Sequence, residues 1–343
     1  MTAARIPLNT FGIPFGLAGL AGAWVTVAAY GRAPEAVGDA LLVLAALSWL
    51  LVLGSYVRYV STNRLALGRD LGDPVAGPFA SLALITPMLL AAEGVYPHAQ
   101  TAGRVLVDVF VVLTVLAGGW FTGQWIYTTL DLDKLHPGYF LPTVAGGLVA
   151  AAAAAEVGQQ RLGEVMLGLG VICWLVLGSI ILARLLFRPA LPSPLLPTLA
   201  IEVAPPAVAL LAYFALFGDR IDTITALLAG YGILMVIAQV RLLPVFMRLP
   251  FMPSTWAFTF SWAAVGTASI HWLNDTRPAG YQAGEYLVLA AVSALIGGIA
   301  VRTIIALRRR KFLPGSPGQT AAVTPAASVE QPLPPTDGQP VDA

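Results

Sequence analysis

The residues able to do chemistry in this chain are few, and the sharpest of them sits inside an apolar run. Glu202 lies within the run 195–217, shortly before Ala204-Pro205-Pro206. A carboxylate surrounded by hydrocarbon is so costly that it marks a functional position by default. Two chemistries suit it. Glu202 can pair with Arg241, because the two fall at similar depth on neighbouring antiparallel runs. Alternatively it can hold a proton, its carboxyl kept neutral by desolvation. Arg241 also reads as an interfacial anchor. The hydroxyls of Thr86, Thr143, Thr198, Thr259 and Ser261 fall in apolar runs as well. Such hydroxyls usually bond back to their own helix, and otherwise can touch a passing solute. His98, His136 and His271 fall near the ends of runs without ligand spacing, so haem is not expected. Cys173 stands alone and reads as a small apolar side chain. Lys134 and Lys311 are the only lysines and lie outside the runs, so no Schiff-base cofactor is expected. No acid, base and nucleophile cluster, and the chain is not read as an enzyme. No cofactor or metal is expected.

Those residues need elements to hold them, and the composition says which solvent the elements meet. Of 343 residues, 57% are hydrophobic and 11% charged, against about 25% charged in soluble domains. Mean hydropathy is +0.79. Much of this surface must face lipid. A net charge of +1 argues against a nucleic-acid partner. Ten apolar runs are candidate membrane helices: 10–31, 36–61, 75–94, 103–129, 137–155, 161–187, 195–217, 221–246, 253–273 and 281–307. Met1–Leu8 is too short and polar for a signal peptide, so the first run reads as a retained span. Residues 1–311 form the membrane domain. The segment 312–343, rich in Pro, Gln, Ser and Thr, reads as a disordered cytoplasmic tail. Fourteen of the 19 Lys and Arg fall on the side of the termini, and five (Arg32, Arg104, Arg161, Arg220, Arg277) on the other. The positive-inside rule therefore places both termini in the cytoplasm.

The spans alternate in kind. Interior proline falls in the odd ones, at Pro14, Pro78, Pro87, Pro142, Pro205 and Pro206, and in the even ones only at Pro244. Proline removes a backbone donor and kinks a helix, and the freed carbonyl must face protein or water. Kinked spans thus belong inside and straight ones can face lipid. Each even span also carries an acid near its start: Asp39, Asp108, Glu164, Asp222 and Glu285. These suit the positive end of a helix dipole; the alternative is a ring of acids that attracts cations. Arg104–Asp108 and Arg161–Glu164 have ion-pair spacing. The period of about 60 residues predicts five helical hairpins, an all-α membrane fold. Five in a circle would leave an axial pore lined by the kinked spans; ordinary close packing without a conduit is equally open on these patterns alone. Gly230-Tyr231-Gly232 has the composition of a carbonyl-lined ion filter, but lies in a continuous apolar run without a re-entrant loop.

Several stretches carry a resemblance. Phe11–Trp24, Asp73–Leu90, His136–Gly147, Ala204–Tyr213, Gly230–Leu234, Arg241–Pro244 and Trp256–Phe260 resemble, in order over residues 9–310, the family of the bacterial tellurite-resistance permease TehA, the plant slow anion channels and the C4-dicarboxylate (malic acid) transporters. The resemblance implies ten transmembrane helices as five hairpins around a pore, commonly in a homotrimer, in a bacterial inner membrane. It implies a gated passive channel for small inorganic or organic anions, or alternatively a proton-coupled transporter of C4-dicarboxylate, sulfite or tellurite. It also implies a phenylalanine that blocks the pore on helix 9. Phe258 and Phe260 are the candidates. They lie about 200° apart around the helix, and the family pattern selects Phe260, with Phe258 the second choice. Pro14, Pro87, Pro142 and Pro205 would be the pore kinks. The inner spans are nearly free of basic residues, so selectivity would rest on diameter, weak polar contacts and field. Glu202 departs from the family pattern, in which an apolar residue is expected.

Overall fold

The computed structural model describes residues 5–218 and 220–313. Their long elements are all helical. In chain order these are α1 (Leu8–Ala29), α2 (Glu35–Thr62), α3 (Gly77–Val95), α4 (Gln100–Tyr127), α5 (Pro137–Glu156), α6 (Gln160–Phe187), α7 (Leu196–Phe217), α8 (Thr223–Phe246), α9 (Ala257–Thr276) and α10 (Tyr281–Arg308). Nine of them are long and apolar enough to cross a membrane. The remaining one, α9, has 20 residues and so the required length of about 30 Å. Its hydroxyls, His271, Asn274 and Asp275 make it less apolar than the rest. The chain is a multi-pass membrane protein.

Burial alternates along the chain. The spanning windows of α1, α3, α5 and α7 are 61, 61, 83 and 78% buried, and those of α2, α4, α6, α8 and α10 are 17, 28, 28, 11 and 28% buried. The surface of the second set carries Leu51, Leu116, Ile172, Leu227 and Leu287, all exposed. Only hydrocarbon can cover so much apolar area. The contacts follow the same division. α1 touches α3, α3 touches α5, α5 touches α7, α7 touches α9, and α9 touches α1; each even helix packs on the odd helix before it.

Local geometry separates the two sets again. Every odd helix opens with a 3₁₀ turn: Leu8–Phe11, Gly77–Ser81, Pro137–Phe140, Leu196–Val203 and, leading into α9, Pro253–Trp256. Four of these turns contain a proline near their start and the first follows Pro7, where the missing N–H costs nothing. α3 and α5 also contain a π turn, Ala91–Val95 and Leu141–Ala145. The first follows Pro87 by four residues and the second includes Pro142, consistent with proline disturbing the ladder. The even helices are continuous α-helix, with interior proline only at Pro244 in the last turn of α8.

Small residues let these helices approach. A Cβ at Gly147 on α5 would lie 2.7 Å from the Gly170 backbone nitrogen on α6, so the two glycines set that crossing. The joints on the face away from the termini are short, and four use a glycine in the left-handed region: Gly31, Gly158, Gly218 and Gly280. Asp222 caps α8 by accepting from Ile224 and Thr225 backbone amides at 2.9 and 3.0 Å. With the Tyr213 hydroxyl donating to it at 2.6 Å, its carboxyl is held below the usual range, the tyrosine contributing most. Arg161 and Glu164 pair at 3.0 Å. Arg104 instead donates to the Val157 carbonyl and forms no ion pair with Asp108. On the arginine-rich face Arg5 pairs with buried Asp70 at 3.3 Å. Phe312, the first residue of the predicted disordered tail 312–343, is instead buried beside Phe251; the tail's residues 314–343 lie outside the described residues.

Candidate functional site

Phe260 sits one turn beyond the 3₁₀ entry of α9. Trp256 fixes that entry by donating its indole N–H to Thr303 Oγ1 on α10 at 2.9 Å. From there the Phe260 ring points to α1 and stacks on Phe15, with centroids 3.6 Å apart and planes 17° apart. Gly19 makes room for it, since a Cβ there would lie 2.9 Å from the Phe260 ring. Phe260 borders two cavities. One, of about 40 Å³, opens toward the arginine-rich face and is lined by Asn9, Phe15, Leu148, Pro205 and Ser254 among others. The other, of about 410 Å³, opens toward the opposite face. Phe258 points elsewhere and meets Phe246 of α8 edge-on, 4.9 Å between centroids. Of the two candidate phenylalanines, then, one lies between the cavities and the other against a lipid-facing helix.

The larger cavity of the two carries the titratable groups. Glu93 of α3 and Glu156 of α5 line it, with Tyr30 and His271 toward its mouth. The Tyr30 hydroxyl and His271 Nδ1 lie 2.8 Å apart. No Lys or Arg is among its lining residues. The hydroxyls of Thr26 and Thr267 are turned back to Gly22 and Ala263 carbonyls. The sequence reading missed Phe15, Glu93 and Glu156. A signal for the acids was there: Glu93 lies within an odd span and Glu156 at the end of another.

Most of the polar residues singled out in the sequence are occupied locally. Thr86, Thr198, Thr259 and Ser261 donate to Leu82, Leu195, Trp256 and Ala257 carbonyls at 2.7, 2.6, 2.7 and 3.0 Å. Ser261 also borders the smaller cavity. Thr143 Oγ1 is buried without a partner. Pro205 lines the smaller cavity, while Pro14, Pro87 and Pro142 are buried in the odd helices. Glu202 and Arg241 are not brought together. Glu202 is 7% exposed and its Oε1 has no hydrogen-bond partner; Arg241 is exposed and makes no ion pair among the described residues. Gln239 reaches Leu199 and Gly232 lies against Pro206, a register that sets Arg241 more than a turn nearer the arginine-rich face than Glu202. In this part of α8 Gln239, not Arg241, turns inward, donating to the Leu199 carbonyl at 2.6 Å.

His136, just before α5, is fully buried. Its Nδ1 accepts from the Gly138 amide at 3.1 Å, and Nε2 lies 3.2 Å from the Val75 carbonyl. Burial pushes it down to about 4, so it is a neutral structural group. Among the described residues no three His, Cys, Asp or Glu side chains form a metal-holding group.

The chain matches the family described as voltage-dependent anion channel over residues 5–304. It is 26% identical over 318 residues to the tellurite resistance protein TehA homolog of Haemophilus influenzae, covering 90% of this chain and 92% of that protein. It is 26% identical over 193 residues to the S-type anion channel SLAH1 of Arabidopsis thaliana, covering 55% of this chain and 48% of that protein. With SLAH2 of the same plant it shares 24% identity over 322 residues, 88% of this chain and 58% of that one. The match runs through all ten helices, including the two that hold Phe15 and Phe260, and on that extent the chain belongs to the voltage-dependent anion channel family.

Proposed function

We propose that the protein is a gated passive channel for small anions. Its conduit would run through the middle of five helical hairpins, with α1, α3, α5, α7 and α9 around the axis and kinked at Pro14, Pro87, Pro142 and Pro205. Phe260, stacked on Phe15, would be the gate. The observation that carries this reading is the position of Phe260 between two cavities, inside a closed circuit of contacts among the odd helices. The named anion channels among the relatives support the substrate class. Without lysine or arginine in the lining, no tight binding site would trap an ion, which suits throughput. The 14-to-5 division of basic residues supports cytoplasmic termini in an inner membrane. A homotrimer is the assembly the resemblance implies.

The test is a planar-bilayer recording of the full chain with chloride, nitrate, sulfite and malate. Phe260→Ala should raise current at least about tenfold, because a deleted ring is a steric barrier removed rather than a weakened contact. The current should reverse at the anion equilibrium potential. Unchanged current in Phe260→Ala removes the gate.

A second reading, a proton-coupled carrier of C4-dicarboxylate, sulfite or tellurite, is favoured by Glu202. Its carboxyl lies buried within α7 without a partner for Oε1, as a proton site would require. The tellurite resistance of the named relative fits either reading. Under the carrier reading, substrate accumulates only with a proton gradient, and Glu202→Gln abolishes that dependence.

A further inference from the structure

We propose that Glu93 and Glu156 set anion throughput from the larger cavity, the vestibule of the proposed pore: as carboxylates they oppose the entering anion, and once protonated they admit it. Passage past Phe260 then responds to the acidity of the compartment the vestibule faces. This rests on the pore reading above and assigns the residues that would regulate it.

The geometry is that of charges on a path rather than charges in a structural pair. Both acids line the same cavity of about 410 Å³ that ends at Phe260. They come from adjacent helices, Glu93 from the π turn that ends α3 and Glu156 from the last residue of α5. Glu93 Oε2 is buried with no hydrogen-bond partner. Gly22 of α1 faces the carboxyl; a Cβ there would lie 3.1 Å from Oε1 and 3.3 Å from Oε2, so the acid stands close against the α1 backbone. Glu156 makes no ion pair among the described residues. Glu285 offers the contrast: fully buried, where Glu93 is half-buried and Glu156 exposed to the cavity, it is paired with Arg32 and holds the α1–α2 joint to α10.

The surrounding elements supply nothing that neutralises the two acids. From α4, Arg104 is spent on the Val157 carbonyl at 3.2 and 3.0 Å. From the α1–α2 joint, Arg32 is spent on Glu285 and Asn274. α7 contributes Leu211, Phe214 and Ala215, none of which titrates. From α1 and α9, Tyr30 and His271 face the cavity, bonded to each other. An anion entering from this side therefore meets two carboxyls and an imidazole, and its energy depends on their protonation. Like charges at contact distance cost enough to govern a rate, since about 1 kcal/mol separates them even at the permittivity of water and more in a narrow site. Protonated His271 would act in the same direction, so the test must separate it from the acids.

The experiment uses the full chain in planar bilayers on a Phe260→Ala background, with chloride as the probe and pH changed in one chamber at a time. Lowering vestibule-side pH from about 8 to about 4, past the ordinary imidazole and glutamate values, should raise current about fivefold or more. Acidifying the other chamber should do far less. Adding Glu93→Gln or Glu156→Gln should raise the current at about pH 8 and flatten the response, with the double change flattest. Glu93→Asp should keep it, which separates loss of the proton site from loss of folding. The proposal is overturned if the double Gln variant keeps the full response, or if His271→Gln abolishes it while the Gln variants do not. A Phe260→Ala variant with no current above the lipid background would instead remove the pore reading, and this inference with it.

Discussion

Helices α5 and α8 are the extremes of the bundle, and their apolarity does not explain why. The spanning window of α5 has mean hydropathy 1.5 and is 83% buried; that of α8 has 1.9 and is 11% buried. The more apolar helix is the more exposed. In water the order would be reversed, but lipid tails are as apolar as leucine, so no hydrophobic force draws α8 inward. What distinguishes α5 is size. Gly146, Gly147 and the alanines of 150–155 let neighbouring backbones touch it, and dispersion across close contacts does the holding. The same contrast recurs within α9, where Phe260 meets the interior and Phe258 meets lipid-facing α8.

Substitutions can break that contrast or sharpen it. The largest effect is expected at the buried polar tie of the bundle. Glu285→Ala would strand Arg32 and should cost about 3 kcal/mol or more, read as a lower melting temperature in detergent. Acid should act on the entry of α5. His136 binds a proton at about 4 in the fold and at about 6.5 when unfolded. The unfolded chain takes up the proton first, so stability is full above about pH 6.5 and is lost as pH falls toward 4, by up to about 3 kcal/mol. Melting curves across that window, with His136→Gln as the flattened control, check it. Gly147→Ala would force a methyl into the Gly170 backbone and should cost about 2 kcal/mol. The matching change on a lipid-facing helix, Gly119→Ala, meets nothing within 4 Å and should stabilise by up to about 1 kcal/mol through helix propensity. If both glycine changes have the same sign, the division between interior and lipid-facing helices is wrong. The smallest effect is expected at Phe258→Ala, which should alter anion current by less than about twofold, as the ring lies off the proposed path.

Much of the architecture could be read in advance. Run length and the absence of charge located the spans, because a hydrocarbon slab of fixed thickness accepts few alternatives. Proline spacing separated odd helices from even, and burial follows that division. The detail it missed is that the disturbance begins with a 3₁₀ turn at every odd helix, next to Pro7, Pro78, Pro137, Pro197 and Pro253. The site was less legible. Phe260 could be preferred over Phe258 only through resemblance, and its partner Phe15 could not be chosen among the phenylalanines of other helices. Glu202 was visible as an anomaly, whereas Glu93 and Glu156 were lost near the ends of spans, where an acid is unremarkable.

The sequence by itself determined the solvent, the count and ends of the helices, and which helices could tolerate water or protein around a disturbed backbone. Those follow from one-dimensional quantities: length, apolarity and the missing amide of proline. The tertiary structure alone decided which side of each helix faces in. A helix apolar all round has no amphipathic stripe to fix its rotation, so contacts such as Phe15 on Phe260, Gln239 in place of Arg241, and two acids at one cavity arise only when the helices pack.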